Sequence, residues 1–307
     1  MNVSIRNGPN FLGIGAPRSG TTWLYNMLKQ HPQVWMPPIK ELHYFDSIDS
    51  STRFADVHRF SWRIRKQFAR RAGHYAARPL GSVASRWQHK VDISPGFDRR
   101  YFTPGGSISW YRSLFDPAAN NCRRVGEITP GYIVLSRSMI QRIRTETRVE
   151  RVILLLRDPI EATWSGFGRM SMKGQTSISE NDTAALLKGL SNPATLQRRL
   201  YAQNLGNWLS VFPREQVFIG FYEELSDAPG DLISRVSSFL DIEEPPSHVL
   251  RNAGQRIHSS RASRGAIPPA VESMLAKQVL DDLSHLVEMV GGPALFWLER
   301  AKSAALR

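Results

Sequence analysis

The sequence contains a single cysteine, Cys122, among 307 residues. One cysteine cannot form an intramolecular disulfide, which excludes a small secreted scaffold held by disulfides. The Cys and His residues do not have the spacing of a zinc site, so no metal is expected. The chain also lacks the apolar run of about 18 residues that a transmembrane helix needs, and residues 1–10 lack the apolar core of a signal peptide. We therefore predict a cytoplasmic protein without a transmembrane segment.

Acidic residues are scarce relative to basic ones. The 27 Asp and Glu residues face 40 Lys and Arg residues, which gives a formal net charge of +13. Such an excess favours anionic ligands, among them phosphates, sulfates, acidic sugars and nucleic acid. Hydrophobic residues make up 41% of the chain, enough for a large buried core and too many for a disordered protein.

Short apolar runs alternate with segments of helical character. Residues 11–15, 152–156 and 217–221 have the length and composition of buried strands, and each is followed by a stretch with apolar residues at helical spacing. Strands that alternate with helices are typical of a parallel sheet covered by helices. The sequence therefore predicts an α/β fold.

The predicted strands fit one sheet, so we expect a single domain with insertions. The domain is predicted to span residues 11–300, after an N-terminal extension at 1–10 and before a C-terminal tail at 301–307. The basic, aromatic-containing segment 53–100 and the Ser-, Thr-, Asn- and Gly-rich segment 171–195 are interpreted as insertions on this domain.

A glycine-containing loop follows the first strand. Residues 15–22 read Gly-Ala-Pro-Arg-Ser-Gly-Thr-Thr and precede a predicted helix, the position where backbone N–H groups and the helix dipole converge on an anion. The nucleoside-triphosphate loop has the pattern G-x-x-x-x-G-K-[ST]. Here Thr21 stands at the lysine position and Arg18 supplies a cation from within the loop. The loop thus predicts an anion site that is poorly suited to ordinary ATP chemistry.

This loop resembles the 5′-phosphosulfate motif of sulfotransferases that use 3′-phosphoadenosine 5′-phosphosulfate (PAPS). In that motif a basic residue precedes Ser/Gly-Gly-Thr-Thr. The resemblance implies a P-loop-like fold, PAPS as sulfate donor, 3′-phosphoadenosine 5′-phosphate (PAP) as product and no metal. It also implies a catalytic cation at Arg18. The cofactor-binding residues that it implies in this segment are Arg18, Ser19, Gly20, Thr21, Thr22 and Trp23.

A second segment resembles the 3′-phosphate motif of the same family. Arg157 ends a predicted strand, and Ser165 follows eight residues later. An arginine fork can pair with a phosphate while a hydroxyl from the next helix donates a further hydrogen bond. The resemblance therefore implies that Arg157 and Ser165 bind the 3′-phosphate.

Residues 40–46, Lys-Glu-Leu-His-Tyr-Phe-Asp, are similar to the Lys-Glu-x-His-Phe-Phe-Asp segment of the heparan-sulfate-type branch. The similarity implies that Glu41 is the general base for the acceptor hydroxyl and that His43 and Asp46 shape the acceptor site. It also implies that Lys40, counted among the substrate-binding residues, is a cation on the cofactor side of this segment. His43 is an alternative base, because the cytosolic branch of the family uses histidine and an imidazole titrates near neutrality.

Other correspondences are weaker. Residues 126–132 resemble a Glu-Lys-Thr/Ser-Pro-x-Tyr segment, with Ile128 at the lysine position, and place Thr129 in the acceptor wall or at the start of a turn. Tyr222, at the end of a strand, is a candidate to stack the adenine or an ordinary core residue. A polar segment near the C-terminus contains three arginines: Arg256, Arg261 and Arg264. They either bind the nucleotide or belong to a basic loop that faces solvent.

These features predict a sulfotransferase that moves a sulfuryl group from PAPS to a hydroxyl, less readily an amine, of a carbohydrate, lipid or small-molecule acceptor. The first alternative is a P-loop-type phosphotransferase, which the missing loop lysine disfavours. The second is a non-enzymatic polyanion-binding protein that uses segment 53–100. A nucleic-acid partner is not expected.

Overall fold

The computed structural model describes residues 8–50, 64–65, 67–69, 71–72, 94–103, 105–118, 122–172, 174–176, 178–179, 182–255 and 265–307. Within these ranges, parallel strands form a five-stranded sheet in the order β2-β3-β1-β4-β5. The strands are β1 (Phe11–Gly15), β2 (Val34–Trp35), β3 (Arg124–Ile128), β4 (Arg151–Leu156) and β5 (Val217–Phe221).

Helices connect these strands and extend the fold beyond the last of them. They are α1 (Thr21–Lys29), α2 (Phe45–Ile48), α3 (Pro95–Phe102), α4 (Ile108–Ser113), α5 (Arg137–Glu146), α6 (Pro159–Met172), α7 (Thr183–Leu190), α8 (Pro193–Gln197), α9 (Tyr201–Leu209), α10 (Tyr222–Asp227), α11 (Pro229–Phe239), α12 (Ser247–Ala253), α13 (Pro269–Val290) and α14 (Pro293–Ala305), with 3₁₀ turns at Pro130–Val134 and Arg214–Gln216. In the ranges that the structure describes, no helix combines the length and the apolar character required to span a membrane.

Apolar cores cover both faces of the sheet. Successive side chains of a strand point to opposite faces, and β4 is apolar on both. Val152, Leu154 and Leu156 pack in a core with α5, α6, α9, α13 and α14. Ile153 and Leu155 pack in a second core with α1, α11 and α12. The predicted α/β fold with a helix-flanked parallel sheet is confirmed.

The strand register brings the chemically interesting loops to one edge. Gly13 of β1 pairs with Ile128 of β3, and Gly15 pairs with Leu154 of β4. The loops after these strands therefore leave the sheet side by side, at the carboxyl edge where ligands bind in open α/β sheets.

Some elements differ from the predicted organisation. Strand β3 was not predicted, because its sequence Arg-Val-Gly-Glu-Ile lacks a continuous apolar run. Helices α7 and α8 occupy much of the Ser- and Asn-rich segment interpreted as an insertion. Helix α14 (Pro293–Ala305) spans the boundary between residues 300 and 301, where the domain was predicted to end and the C-terminal tail to begin. Most of segment 53–100 lies outside the described residues.

Candidate active site

The loop after β1 presents uncapped N–H groups. The Ala16 N–H donates to the Leu155 carbonyl at 2.6 Å, which ties the loop to β4. Gly20 precedes α1 with a φ of 91° and supplies no side chain to cap the helix. The first N–H groups of a helix have no intrahelical acceptor, so those of α1 are available to an anion.

Ser19 contributes a buried hydroxyl to this loop. Its side chain is fully buried, and among the described residues its Oγ forms no hydrogen bond of ordinary geometry, although the Tyr201 hydroxyl lies close enough to interact with it. A buried hydroxyl is costly to leave unsatisfied, and a phosphate oxygen would provide the missing partner. The loop thus fits a phosphate-containing ligand on grounds independent of its sequence motif.

Arg18 and Ser165 bring the two predicted phosphate motifs together. The Arg18 Nε and Nη2 atoms donate to Ser165 Oγ at 3.0 and 2.9 Å. The resemblance assigned these residues to the two ends of one nucleotide, the phosphosulfate and the 3′-phosphate. Here the Arg18 guanidinium lies directly against the serine of the 3′-phosphate motif.

Arg157 contacts the backbone of the same loop. Its Nη1 donates to the Arg18 carbonyl at 3.4 Å, and its Nη2 lies 3.4 Å from Glu161 Oε2. Its guanidinium stacks 4.3 Å from the centre of the Tyr222 ring. Tyr222, the candidate for adenine stacking, is therefore engaged by the arginine of the 3′-phosphate motif.

Asp158 has a structural role: it caps the start of α6 and pairs with Arg300. Its Oδ1 accepts from the N–H groups of Ile160 and Glu161 at the start of α6, at 2.8 and 3.2 Å. Its Oδ2 lies 2.8 Å from Arg300 Nη1. Burial raises the pKa of Asp158, although the Arg300 charge opposes that rise.

Across the described residues, His, Cys, Asp and Glu side chains do not gather in a group of three or more that could hold a metal ion.

Arg300 of α14 braces the 3′-phosphate motif. Its Nη1 lies 3.1 Å from Glu161 Oε1, and its Nη2 lies 2.7 Å from Glu272 Oε1 on α13. Glu161 in turn contacts Arg157. The C-terminal helix pair is thus connected through charged contacts to the arginine predicted to hold a phosphate.

The predicted base segment forms a chain of charged contacts. Lys40 Nζ lies 2.5 Å from Glu41 Oε1, and His43 Nε2 lies 3.4 Å from Glu41 Oε2. On its other side, His43 Nδ1 lies 2.6 Å from Asp46 Oδ2. The structure therefore brings all four predicted residues of this segment together, with the imidazole between two carboxylates.

Glu41 is held as a carboxylate within reach of solvent. Its side chain is 41% exposed. Desolvation raises the pKa of Glu41, but the hydrogen bond with His43 and the Lys40 charge outweigh that effect and leave the pKa below its ordinary value. Glu41 and His43 also have left-handed backbone conformations, with φ of 63° and 56°. Non-glycine residues pay for this conformation, so the surrounding structure must hold them in place.

Glu127 supplies that support from β3. Its fully buried carboxylate accepts from the Leu42 N–H at 3.2 Å, in the residue between Glu41 and His43. Further donors are the hydroxyls of Tyr111, Thr129 and Tyr132, at 2.7, 2.7 and 2.8 Å. Burial raises the pKa of Glu127, and these hydrogen bonds oppose that rise.

Gly131 leaves room for the His43 pair. A methyl group on Gly131 would lie 2.5 Å from Asp46 Oδ2 and 3.5 Å from His43 Cε1. The same 3₁₀ turn contacts the phosphate loop, because a methyl on Gly15 would lie 3.3 Å from the Pro130 carbonyl. One turn therefore separates the phosphate loop from the base segment and touches both.

Several predicted site residues lie elsewhere. The Trp23 indole is buried and donates to the Ala253 carbonyl at 2.9 Å, so only its backbone faces the loop. The structure does not present Thr129 to an acceptor, because its fully buried side chain donates to Glu127. Arg256, Arg261 and Arg264 lie outside the described residues.

The sequence reasoning missed Glu127, Arg199 and Arg300. Glu127 belongs to the segment 126–132, and the motif resemblance of that segment was the available signal. Arg199 and Arg300 carried no signal, because their roles depend on contacts with residues distant in sequence.

Comparisons with known proteins agree with this geometry. Residues 9–246 match the model of the sulfotransferase family. Human heparan sulfate glucosamine 3-O-sulfotransferase 3B1 is 29% identical over 160 residues, which cover 50% of this chain and 39% of the relative. The membrane-associated sulfotransferase kil1 of Dictyostelium discoideum is 22% identical over an alignment 320 positions long, and the aligned region covers 76% of this chain and 56% of the relative. The chain thus spans only about two fifths to just over half of these relatives' length.

A solved structure supports the fold. The crystal structure of a sulfotransferase from Alicyclobacillus acidocaldarius matches with a TM-score of 0.63 at 20% identity, over 94% of this chain and 98% of that one. This likeness confirms the predicted P-loop-like α/β architecture. Because the family model also matches most of the chain, the chain belongs to the sulfotransferase family.

Proposed function

We propose that the protein transfers a sulfuryl group from PAPS to a hydroxyl of a carbohydrate acceptor and releases PAP. The observation that carries this proposal is the contact between Arg18 and Ser165, which joins two phosphate motifs at one edge of the sheet. Family membership supports PAPS as donor. The name of the human heparan sulfate relative supports a carbohydrate hydroxyl as acceptor.

The residues present fit a bisphosphorylated nucleotide. The uncapped N–H groups of α1 and the Ser19 hydroxyl would hold the 5′ end, with Arg18 as the cation of that loop. Arg157 and Ser165 would hold the 3′-phosphate, and Tyr222 lies beside Arg157 where an adenine could stack. When bound, PAPS supplies the sulfuryl group that is transferred. Preorganised donors of this kind typically contribute about 10²–10³ in rate each.

Glu41 would act as the general base. Its carboxylate is partly exposed and ionised, and Lys40 and His43 fix its orientation. It would accept the proton of the acceptor hydroxyl as that oxygen attacks sulfur. Asp46 would orient His43 through Nδ1 and thereby hold the Nε2 atom toward Glu41.

The pH dependence of kcat separates the two candidate bases. A base must be deprotonated to act, and the pKa of Glu41 is below its ordinary value. With Glu41 as base, we expect kcat to stay level from about pH 8 down to about pH 5, whereas a histidine base would lose activity below about pH 6.5. Steady-state rates at saturating PAPS and acceptor measure this profile. A decline with a midpoint near that of imidazole would assign the base to His43.

The binding test uses isothermal titration with PAP, in parallel with Mg-ATP, on the wild type and on Arg18→Ala and Ser165→Ala. We expect PAP to bind without metal and to bind at least about tenfold more weakly to each variant, since each loses a charged or hydroxyl contact to phosphate. Gly206→Ala serves as a control, because a methyl there meets no atom within 4 Å. Binding of Mg-ATP in place of PAP would favour a phosphotransferase.

Location and acceptor are finer parts of the proposal. The proposed location is the cytoplasm, as the sequence predicts, although the Dictyostelium relative is named as membrane-associated.

The acceptor screen should begin with heparan sulfate and proceed to simple sugars, with release of PAP as the readout. Release of PAP that does not depend on any hydroxyl-bearing acceptor would contradict the proposed transfer.

A further inference from the structure

Arg199 is a buried cation directly behind the phosphate loop. It is 6% exposed and lies two residues before the first residue of helix α9, Tyr201. Its Nη1 donates to the Pro17 carbonyl at 3.0 Å, and its Nη2 donates to the Ala162 carbonyl at 3.1 Å. Its remaining contacts are with the hydroxyls of Thr163 and Tyr201, at 3.2 and 3.3 Å. The side chain thus connects the loop after β1 to the first turns of α6.

Among the residues that the structure describes, these contacts leave the Arg199 charge without a counter-ion. The Arg199 acceptors are neutral carbonyls and hydroxyls, and within the described part of the chain no carboxylate forms an ion pair with it. Arg124, which is equally buried at 6% exposure, pairs instead with Glu150. A buried charge without a partner destabilises a typical protein. An anionic ligand would supply the partner that Arg199 lacks.

The location of Arg199 matches such a ligand. Ala162 and Thr163 lie on α6 between Arg157 and Ser165, the two residues of the 3′-phosphate motif. A methyl group on Gly166 would lie 4.0 Å from Arg199 Nη2 and 3.9 Å from Arg18 Cγ. Arg199 therefore lies against the same part of α6 as Arg18.

We propose that Arg199 is a positioning residue that supplies the buried counter-charge for the bisphosphorylated nucleotide. This inference rests on the proposed PAPS site. Arg199 fixes the Pro17 carbonyl, and with it the backbone that carries Arg18, while its charge favours ligands with phosphate at both ends over singly phosphorylated ones. Arginine suits this role because it stays ionised and its planar fork bonds several carbonyls at once.

The test compares the affinities for PAP and adenosine 5′-monophosphate of the wild type, Arg199→Gln, Arg199→Lys and the buried control Arg124→Gln. We expect Arg199→Gln, which keeps hydrogen-bonding capacity but loses the charge, to bind PAP at least about tenfold more weakly. The loss for the monophosphate should be smaller, because it carries less negative charge. Arg199→Lys should recover part of the PAP affinity, and Arg124→Gln should bind PAP as the wild type does.

The possible failures are distinguishable. Absence of PAP binding by the wild type would overturn both the proposed function and this inference. Wild-type binding together with unchanged PAP affinity in Arg199→Gln would overturn the inference alone. Equal losses for PAP and the monophosphate, or a lysine variant as weak as the glutamine variant, would show that Arg199 acts through loop structure rather than through charge. Thermal unfolding of each variant confirms that the compared proteins are folded.

Discussion

Glu41→Gln should reduce kcat for sulfuryl transfer by about 10²–10⁴-fold, the usual contribution of a general base. The amide keeps the size of the side chain but cannot accept the acceptor proton. Because Glu41 contacts Lys40 and His43 rather than the phosphate-loop residues, the affinity for PAP should remain close to that of the wild type. Initial rates at saturating PAPS, with PAP titration of the same preparation, measure both quantities.

Two further variants make this prediction specific. Glu244→Gln removes an exposed carboxylate remote from the segment and should leave kcat unchanged. His43→Gln should lower kcat less than Glu41→Gln does, because its contact orients the base. A reversed order, with His43→Gln nearly inactive and Glu41→Gln active, would transfer the role of base to the histidine.

Glu127→Ala should destabilise the protein by about 3 kcal/mol or more, because buried donors left without an acceptor typically cost about 1–3 kcal/mol each. The donors are the Leu42 N–H and the hydroxyls of Tyr111, Thr129 and Tyr132. Release of Leu42 also frees the left-handed backbone on either side of it. We therefore expect kcat to fall more than the affinity for PAP. Urea unfolding measures the stability, and steady-state rates together with titration measure the rest.

Tyr111→Phe is the matched control for this prediction. It removes one donor and leaves the carboxylate with the other partners, so it should cost about 1 kcal/mol and preserve kcat. A Glu127→Ala protein as stable and active as the wild type would contradict the role of Glu127 as an anchor. Equal losses of kcat and PAP affinity would indicate general structural damage instead of displacement of the base segment.

The sequence was sufficient for the parts of the fold that rely on local patterns. Strands β1, β4 and β5 are apolar runs followed by helical periodicity, and they were predicted within the observed bounds. Strand β3 escaped because Glu127 interrupts its apolar pattern. The core tolerates the Glu127 carboxylate because three separate segments of the chain supply hydrogen-bond donors to it. These donors are distant in sequence from Glu127 or irregularly spaced, so no local sequence pattern reveals them.

In the candidate site too, local motifs were predictable from the sequence, whereas contacts between distant residues were not. The segment containing Lys40, Glu41, His43 and Asp46 was identified as a linear motif, and the structure brings these side chains into contact. The motifs also named Arg18 and Ser165 separately, but their direct hydrogen bond depends on the pairing of β1 with β4. In the described part of the chain no carboxylate pairs with Arg199, and the sequence could not predict this, because it depends on which side chains surround Arg199 in space.

Arg300 lies outside the stretch that matches the family model, at residues 9–246, yet it binds Asp158 and Glu161 within that stretch. The shared family region of this chain is therefore not an interchangeable module. A chimera that joins residues 9–246 of this chain to the C-terminal helices of another relative would separate Asp158 from Arg300. The buried Asp158 carboxylate would then lack the cation that pairs with it here. Conversely, a donor region lacking acidic residues at these positions would remove two of the carboxylates that Arg300 contacts and leave its pair with Glu272. Swaps between family members should therefore exchange α13 and α14 together with the region that they brace.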